Sequence, residues 1–190
     1  MQNYIRDKKG KCLTKLVDNY VLLDIETTGL SPLKDDIIEI GAIKVEKNKI
    51  VDEYSSLIKI DRKLDSFIIQ LTGITDKMLK EGKSTEIVLK EFLNFLGDNV
   101  IIGHNVNFDI NFIYEKCKKY LGTYVINDYI DTMQVAKRAI PNSINYKLGT
   151  LAKRFEIDYS NAHRGLNDVE ITYHVYNKLK DILNPQISLF

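Results

Sequence analysis

The spacing of apolar residues changes along the chain, and each change marks an element. Tyr20–Thr27 is leucine-rich and β-branched, the pattern of a strand buried on both faces. Residues 36–46 and 50–60 read as two more strands, joined through Lys47-Asn48-Lys49 as an antiparallel hairpin. Ser84 opens a helix with Ile87, Val88, Phe92, Leu93, Phe95 and Leu96 on its apolar face, and Gly97 closes it. Residues 99–103 form a short apolar strand, and 107–121 a helix carrying Phe108, Phe112, Ile113 and Cys117. After a short fifth strand come helices near 131–139 and 147–155, then a last helix from about Gly165 to Leu183, stopped by Asn184-Pro185. The order predicts an α/β domain, a mixed five-stranded sheet flanked by helices, over 20–183. Residues 1–19 show no period and read as a loose extension; 184–190 read as a tail.

Composition narrows the class. A chain of 190 residues is one domain by length and buries roughly 70% of its unfolded surface. Hydrophobic residues at 44% and charged residues at 28% exclude wholesale disorder. The longest apolar runs are about four residues, far below a bilayer span, and the first nineteen residues lack the apolar stretch of a secretory leader. Cys12 and Cys117 stand far apart without a C-x-x-C, which argues against a disulfide framework or a cysteine zinc site. A cytoplasmic protein is expected. The balance of 27 basic against 26 acidic residues gives a formal charge of +1. Any grip on nucleic acid by surface charge alone is then weak and salt-sensitive.

The first strand carries an anomaly. Asp24 and Glu26 stand two residues apart, so strand alternation points both to one face, inside a run that otherwise calls for burial. Two adjacent carboxylates near a core repel each other and are costly to desolvate, and a hard divalent cation relieves both penalties. The alternative is an edge strand whose acids face solvent, or a helix cap after the strand. Asp109 shares a helix face with Phe112 and Ile113, and Asp168 begins the stripe Ile171, Thr172, Val175, Leu179. Taken singly, an acid in a first helical turn needs only the helix dipole. Four carboxylates projecting inward from apolar elements would together oppose folding unless metal ions neutralise them. His163, five residues before Asp168, is either a surface or capping residue or a base for an attacking water. His104 and His174 give weaker signals, in a loop motif and on the polar side of the last helix.

Three segments carry these residues: Asp24-Ile25-Glu26-Thr27-Thr28-Gly29-Leu30, His104-Asn105-Val106-Asn107-Phe108-Asp109 and His163-Arg164-Gly165-Leu166-Asn167-Asp168. They resemble the three motifs of the DnaQ-like DEDDh 3′–5′ exonucleases, most closely the proofreading exonucleases (epsilon subunits) of bacterial DNA polymerase III. The resemblance covers about residues 20–183. His163 rather than a tyrosine precedes the last acid, with Arg164 where the tyrosine-type sister group has its tyrosine; Gly165 and Asn167 depart from a common alanine without removing a ligand.

The resemblance implies a ribonuclease H-like fold and two Mg²⁺ or Mn²⁺ ions. It implies that Asp24 bridges both ions, that Glu26 and Asp168 complete one, that Asp109 acts directly or through water, and that His163 is the general base. Thr28, Gly29 and Leu30 are then expected to bind the 3′-terminal nucleotide, with His104, Asn105 and Phe108 lining the same groove. Leu71-Thr72-Gly73-Ile74-Thr75 is either a family loop beside the substrate or a helix-capping turn, and an N-cap role suffices for Asp131. The implied activity is release of nucleoside 5′-monophosphates from DNA 3′ ends, in proofreading or repair. An exoribonuclease or oligoribonuclease of the same superfamily is an alternative, and a non-catalytic interaction module a more distant one.

The chain ends Gln186-Ile187-Ser188-Leu189-Phe190, beyond a helix-stopping proline. This resembles the peptide with which bacterial proteins bind the sliding clamp, apolar anchors entering a preformed pocket. The alternative is a tail folded back on its own domain. Clamp tethering would compensate for the neutral surface by raising effective concentration at DNA. A DNA polymerase subunit is a further expected partner, and the chain leaves no room for a polymerase domain of its own.

Overall fold

The computed structural model describes residues 5–160 and 164–184. Its elements are β1 (Tyr20–Thr27), β2 (Ile37–Glu46), β3 (Lys49–Leu57), α1 (Ser66–Thr72), α2 (Asp76–Lys80), α3 (Thr85–Leu96), β4 (Ile101–Gly103), α4 (Asn107–Leu121), β5 (Tyr129–Asp131), α5 (Thr132–Ala139), α6 (Leu148–Arg154) and α7 (Gly165–Leu183). The sheet order is β3-β2-β1-β4-β5. The first three strands run antiparallel, and β4 and β5 lie parallel to β1. The mixed, ribonuclease H-like sheet is therefore present. Lys47 and Asn48 both take positive φ at the β2–β3 turn, the twist a two-residue hairpin needs.

Alternation along β1 sorts its side chains between two cores. Val21, Leu23 and Ile25 pack with Val88, Phe92, Phe112 and Ile113 of α3 and α4. Tyr20 and Leu22 pack on the other face with Val135, Leu151, Val175 and Tyr176 of α5, α6 and α7. Asp24 and Glu26 continue this second face, the one α7 covers. Where β2 meets α7 the packing is backbone on backbone: a Cβ on Gly41 would collide with Gly165 and Leu166. Gly41 is the register partner of Asp24, so this contact brings the start of α7 beside the acidic end of β1.

Two features differ from the sequence reading. The segment before α3 holds two short helices, α1 and α2, which meet through Gly73, a left-handed C-cap at φ 71°, and Thr75, an N-cap accepting from Met78 N. The 71–75 segment is thus a double capping turn. Its helices pack Ile68, Ile69 and Leu79 against Ile38 and Leu57. The extension is docked over residues 5–19 rather than loose: Leu13 N donates to Tyr129 O, and Tyr129 N to Lys11 O, adding a short parallel bridge beyond β5. Arg6 is buried, donates to Asn107 Oδ1 at 3.0 Å and lies over the Tyr129 ring. No described helix is long and apolar enough to cross a membrane. Cys12 and Cys117 are both free thiols.

Candidate functional site

Asp24, Glu26 and Asp168 converge. Each offers one carboxylate oxygen, and these oxygens lie within 4.8 Å of one another. β1 supplies the first two from one face, and Asp168 comes from the first turn of α7, with Ile171, Thr172 and Val175 buried behind it. Beside them the strand register shifts between Glu26 and Thr27, a bulge where β1 leaves the sheet. Burial, then the charges of Asp109, Asp168, Glu26 and Glu39, hold the Asp24 carboxyl well above its usual range. Glu26 is pushed up to about 8 by burial, then by Asp168 and Glu39, with Arg164 pulling the other way. The cluster thus resists ionisation as long as no cation is present. Three oxygen donors converging in this way suit a hard divalent ion such as Mg²⁺ or Mn²⁺.

Asp109 approaches β1 from the opposite face and is not among the three acids whose oxygens converge. It is buried in the first turn of α4, and its Oδ1 accepts the Ile25 N–H at 3.1 Å. Burial raises its pKa, while hydrogen bonds from its own and the Ile25 backbone amides oppose the rise. Residues 161–163 lie outside the described residues, His163 among them, as does the 185–190 segment with Gln186, Ile187, Ser188, Leu189 and Phe190.

The 28–36 loop is tightly tied. Thr27 Oγ1 donates to Gly29 O, Thr28 N to Asp36 O, and Asp36 N to Thr28 Oγ1. Gly29 lets the Asp35 carboxylate lie close against the loop backbone, where a Cβ would have to push that side chain aside. Leu30 is left 72% exposed at the tip, an apolar surface with no core to join. In the second motif, Asn105 takes φ 61°, and its N–H donates to Asp131 Oδ1, which also caps Met133 N. Asp131 therefore does more than cap α5: it holds the turn carrying His104 and Asn105. Thr132 Oγ1 donates to Gly103 O and lies 2.9 Å from His104 Nδ1, tying the imidazole to the start of α5; burial lowers the His104 pKa. Phe108 is half-buried, its ring 4.9 Å from that of Phe112. His174 is exposed on α7, as its polar position suggests.

Sequence reasoning passed over several residues here. Lys116 is buried on α4 and donates to Asp35 O at 2.5 Å, with Asp36 Oδ1 at 3.4 Å. Arg62 reaches Thr28 Oγ1 and pairs with Asp35 and Asp36. Tyr159 is half-buried, its hydroxyl pKa raised by burial, then by Asp168 and Asp24. Glu39 is 2% exposed on β2 opposite Glu26. Its signal was in the sequence, an acid within Ile37-Ile38-Glu39-Ile40, the same kind of interruption that marks β1.

Comparison with known proteins agrees with this arrangement. A family model described as Exonuclease matches residues 21–176. The PolC-type DNA polymerase III of Caldanaerobacter subterraneus subsp. tengcongensis is 40% identical over 174 residues, covering 92% of this chain and 12% of the polymerase. That of Bacillus subtilis is 38% identical over 173 residues, covering 90% and 12%. The chain thus spans about an eighth of these relatives. Among solved structures, a zinc-bound complex of E. coli exonuclease I with single-stranded DNA superposes with a TM-score of 0.74 at 22% identity, covering 89% of this chain and 41% of that one. Exonuclease X in complex with 5′-overhanging duplex DNA gives a TM-score of 0.68 at 26% identity, covering 85% and 91%. With the family model spanning the sheet and reaching from the first acids of β1 into α7, this chain belongs to the exonuclease family.

Proposed function

We propose that the domain is a divalent-metal-dependent 3′–5′ exodeoxyribonuclease that releases nucleoside 5′-monophosphates. The observation that carries this reading is the convergence of Asp24, Glu26 and Asp168 within 4.8 Å, a cluster whose charges oppose one another unless cations lie between them. Asp24, Glu26 and Asp168 would hold two Mg²⁺ or Mn²⁺ ions, with Asp109 contributing directly or through water. When bound, such ions supply Lewis-acid stabilisation of the phosphodiester oxygens. His163 takes the proton from the attacking water. Thr28, Gly29 and Leu30 hold the terminal nucleotide, the exposed Leu30 side chain meeting its base, and His104, Asn105 and Phe108 line the groove. Contacts of this kind tolerate any base.

DNA rather than RNA as substrate is supported by the polymerase relatives and by neighbours solved with DNA. Gln186–Phe190 is proposed to bind the sliding clamp and a DNA polymerase to act beside the domain, a tether suited to a surface of formal charge +1. One 5′-labelled sequence, prepared as single-stranded DNA, as a duplex with a mismatched 3′ end and as RNA, tests the substrate class. Wild type in Mn²⁺ should give a 3′-shortening ladder on DNA that Asp24→Ala lacks. A ladder on RNA alone would move the protein to RNA turnover, and none on any substrate would favour a binding module.

A further inference from the structure

Glu39 is a buried acid facing the same side of the sheet as the candidate metal centre, yet both its oxygens are committed elsewhere. Oε1 accepts from Arg164 Nη2 at 2.8 Å, and Oε2 from Arg164 Nε at 3.2 Å and from Gly165 N at 3.0 Å. Arg164 is the N-cap residue of α7 and makes no side-chain cap bond of its own. The cap is therefore supplied from β2, where a carboxylate meets a helix N-terminus and a two-pronged guanidinium at once. Two residues along the strand, Gly41 admits the Gly165 backbone, so charge and contact fix the same point. One turn into the helix stands Asp168. We propose that Glu39 is a positioning residue: through Arg164 and Gly165 it sets the start of α7, and with it the Asp168 carboxylate, relative to Asp24 and Glu26. The role rests on the metal site of the preceding reading. It also explains why a fourth acid is kept beside three that already repel: its charge is answered by Arg164, and its work is geometric.

The test is Mn²⁺ binding, followed by the spectroscopic signal of the free ion, together with steady-state hydrolysis of a single-stranded oligonucleotide. Glu39→Gln removes the charge, whereas Arg164→Lys keeps the charge and loses the fork. Both should stay folded by circular dichroism and bind Mn²⁺ about 10-fold more weakly, with kcat down about 10- to 100-fold, KM within about twofold of wild type, and partial rescue by excess Mn²⁺. If Glu39→Gln fails to fold, Arg164→Lys decides, since its side chain is 41% exposed and its loss empties no core. Folded variants with wild-type Mn²⁺ affinity and kcat would overturn the role. The same titration isolates the parent reading: wild type failing to bind Mn²⁺, or Asp24→Ala binding as wild type does, would remove the metal site and the positioning role with it.

Discussion

Asp109 Oδ1 lies 3.1 Å from the amide nitrogen of Ile25, the residue between the two acids of β1. Val21 N donates to Val100 O on the β4 side, and alternation turns the Ile25 N–H the same way, past the point where β4 ends at Gly103. The carboxylate takes the place of the missing strand. A helix on one face of the sheet is thereby bonded to the strand whose acids face the other.

That bond separates two roles for Asp109. Asp109→Asn keeps an oxygen for Ile25 and removes a like charge, so in EDTA its urea midpoint should be no lower than wild type. Its activity should fall by at least about 100-fold, on the scale lost when metal-site geometry is disturbed. Asp109→Ala should lose activity and also about 1–3 kcal/mol of stability, because the Ile25 N–H is left buried without a partner.

The raised carboxyls make the metal-free protein sensitive to pH. Glu26 holds its proton up to about 8 when folded, against an ordinary value of 4.5. Between those values the folded state binds more protons than the unfolded, so stability falls as pH rises; the contribution is complete below the lower value and lost above the upper. In EDTA the thermal midpoint should decline from about pH 5 to about pH 8.5, less steeply in Glu26→Gln, and saturating Mn²⁺ should restore it most at the alkaline end. A midpoint that rises over this range in EDTA would contradict the burial of these acids.

Lys116 anchors the 28–36 loop from beneath, on α4. Lys116→Met keeps most of the buried stem and deletes the head that holds Asp35 and Asp36. The loop should loosen around Leu30 with the acids undisturbed, so KM for single-stranded DNA is expected to rise about 10-fold, the equivalent of about 1.4 kcal/mol of lost binding, with kcat changed less than twofold. A fall in kcat at unchanged KM would place Lys116 in support of the acids instead.

Removing residues 186–190 should abolish association with the purified bacterial clamp while leaving hydrolysis of free oligonucleotides unchanged. Surface plasmon resonance on immobilised clamp reads the first, and the labelled ladder the second. A truncated chain that binds clamp as the full chain does would reject the tail proposal.

Most of this was legible where side chains carry the information. The α4 and α7 limits match because each carries a long, mainly apolar buried face and a terminating Gly122 or Asn184. Asp24 and Glu26 stood out against an apolar strand. The short helices α1 and α2, of 7 and 5 residues, were not legible, because segments of that length have too little period and are set by caps at Asp65, Gly73 and Thr75. The docking of residues 11–13 on Tyr129 is led by backbone hydrogen bonds, and the Leu13, Leu16 and Val17 that pack beside it are too few to set a period. Glu39 was visible as an interruption of β2, but its meaning depends on Arg164, 125 residues away.

The central claim is that the acids of β1 and α7 hold the metal on which cleavage depends. It is tested most directly by titrating Mn²⁺ into EDTA-treated protein while following 3′-shortening of one 5′-labelled single strand, for wild type and Asp168→Asn. Wild type should be inert in EDTA and recover fully as Mn²⁺ is added, whereas Asp168→Asn should stay at least about 100-fold slower at every concentration. Shortening in EDTA, or an Asp168→Asn curve lying on that of wild type, would contradict the account.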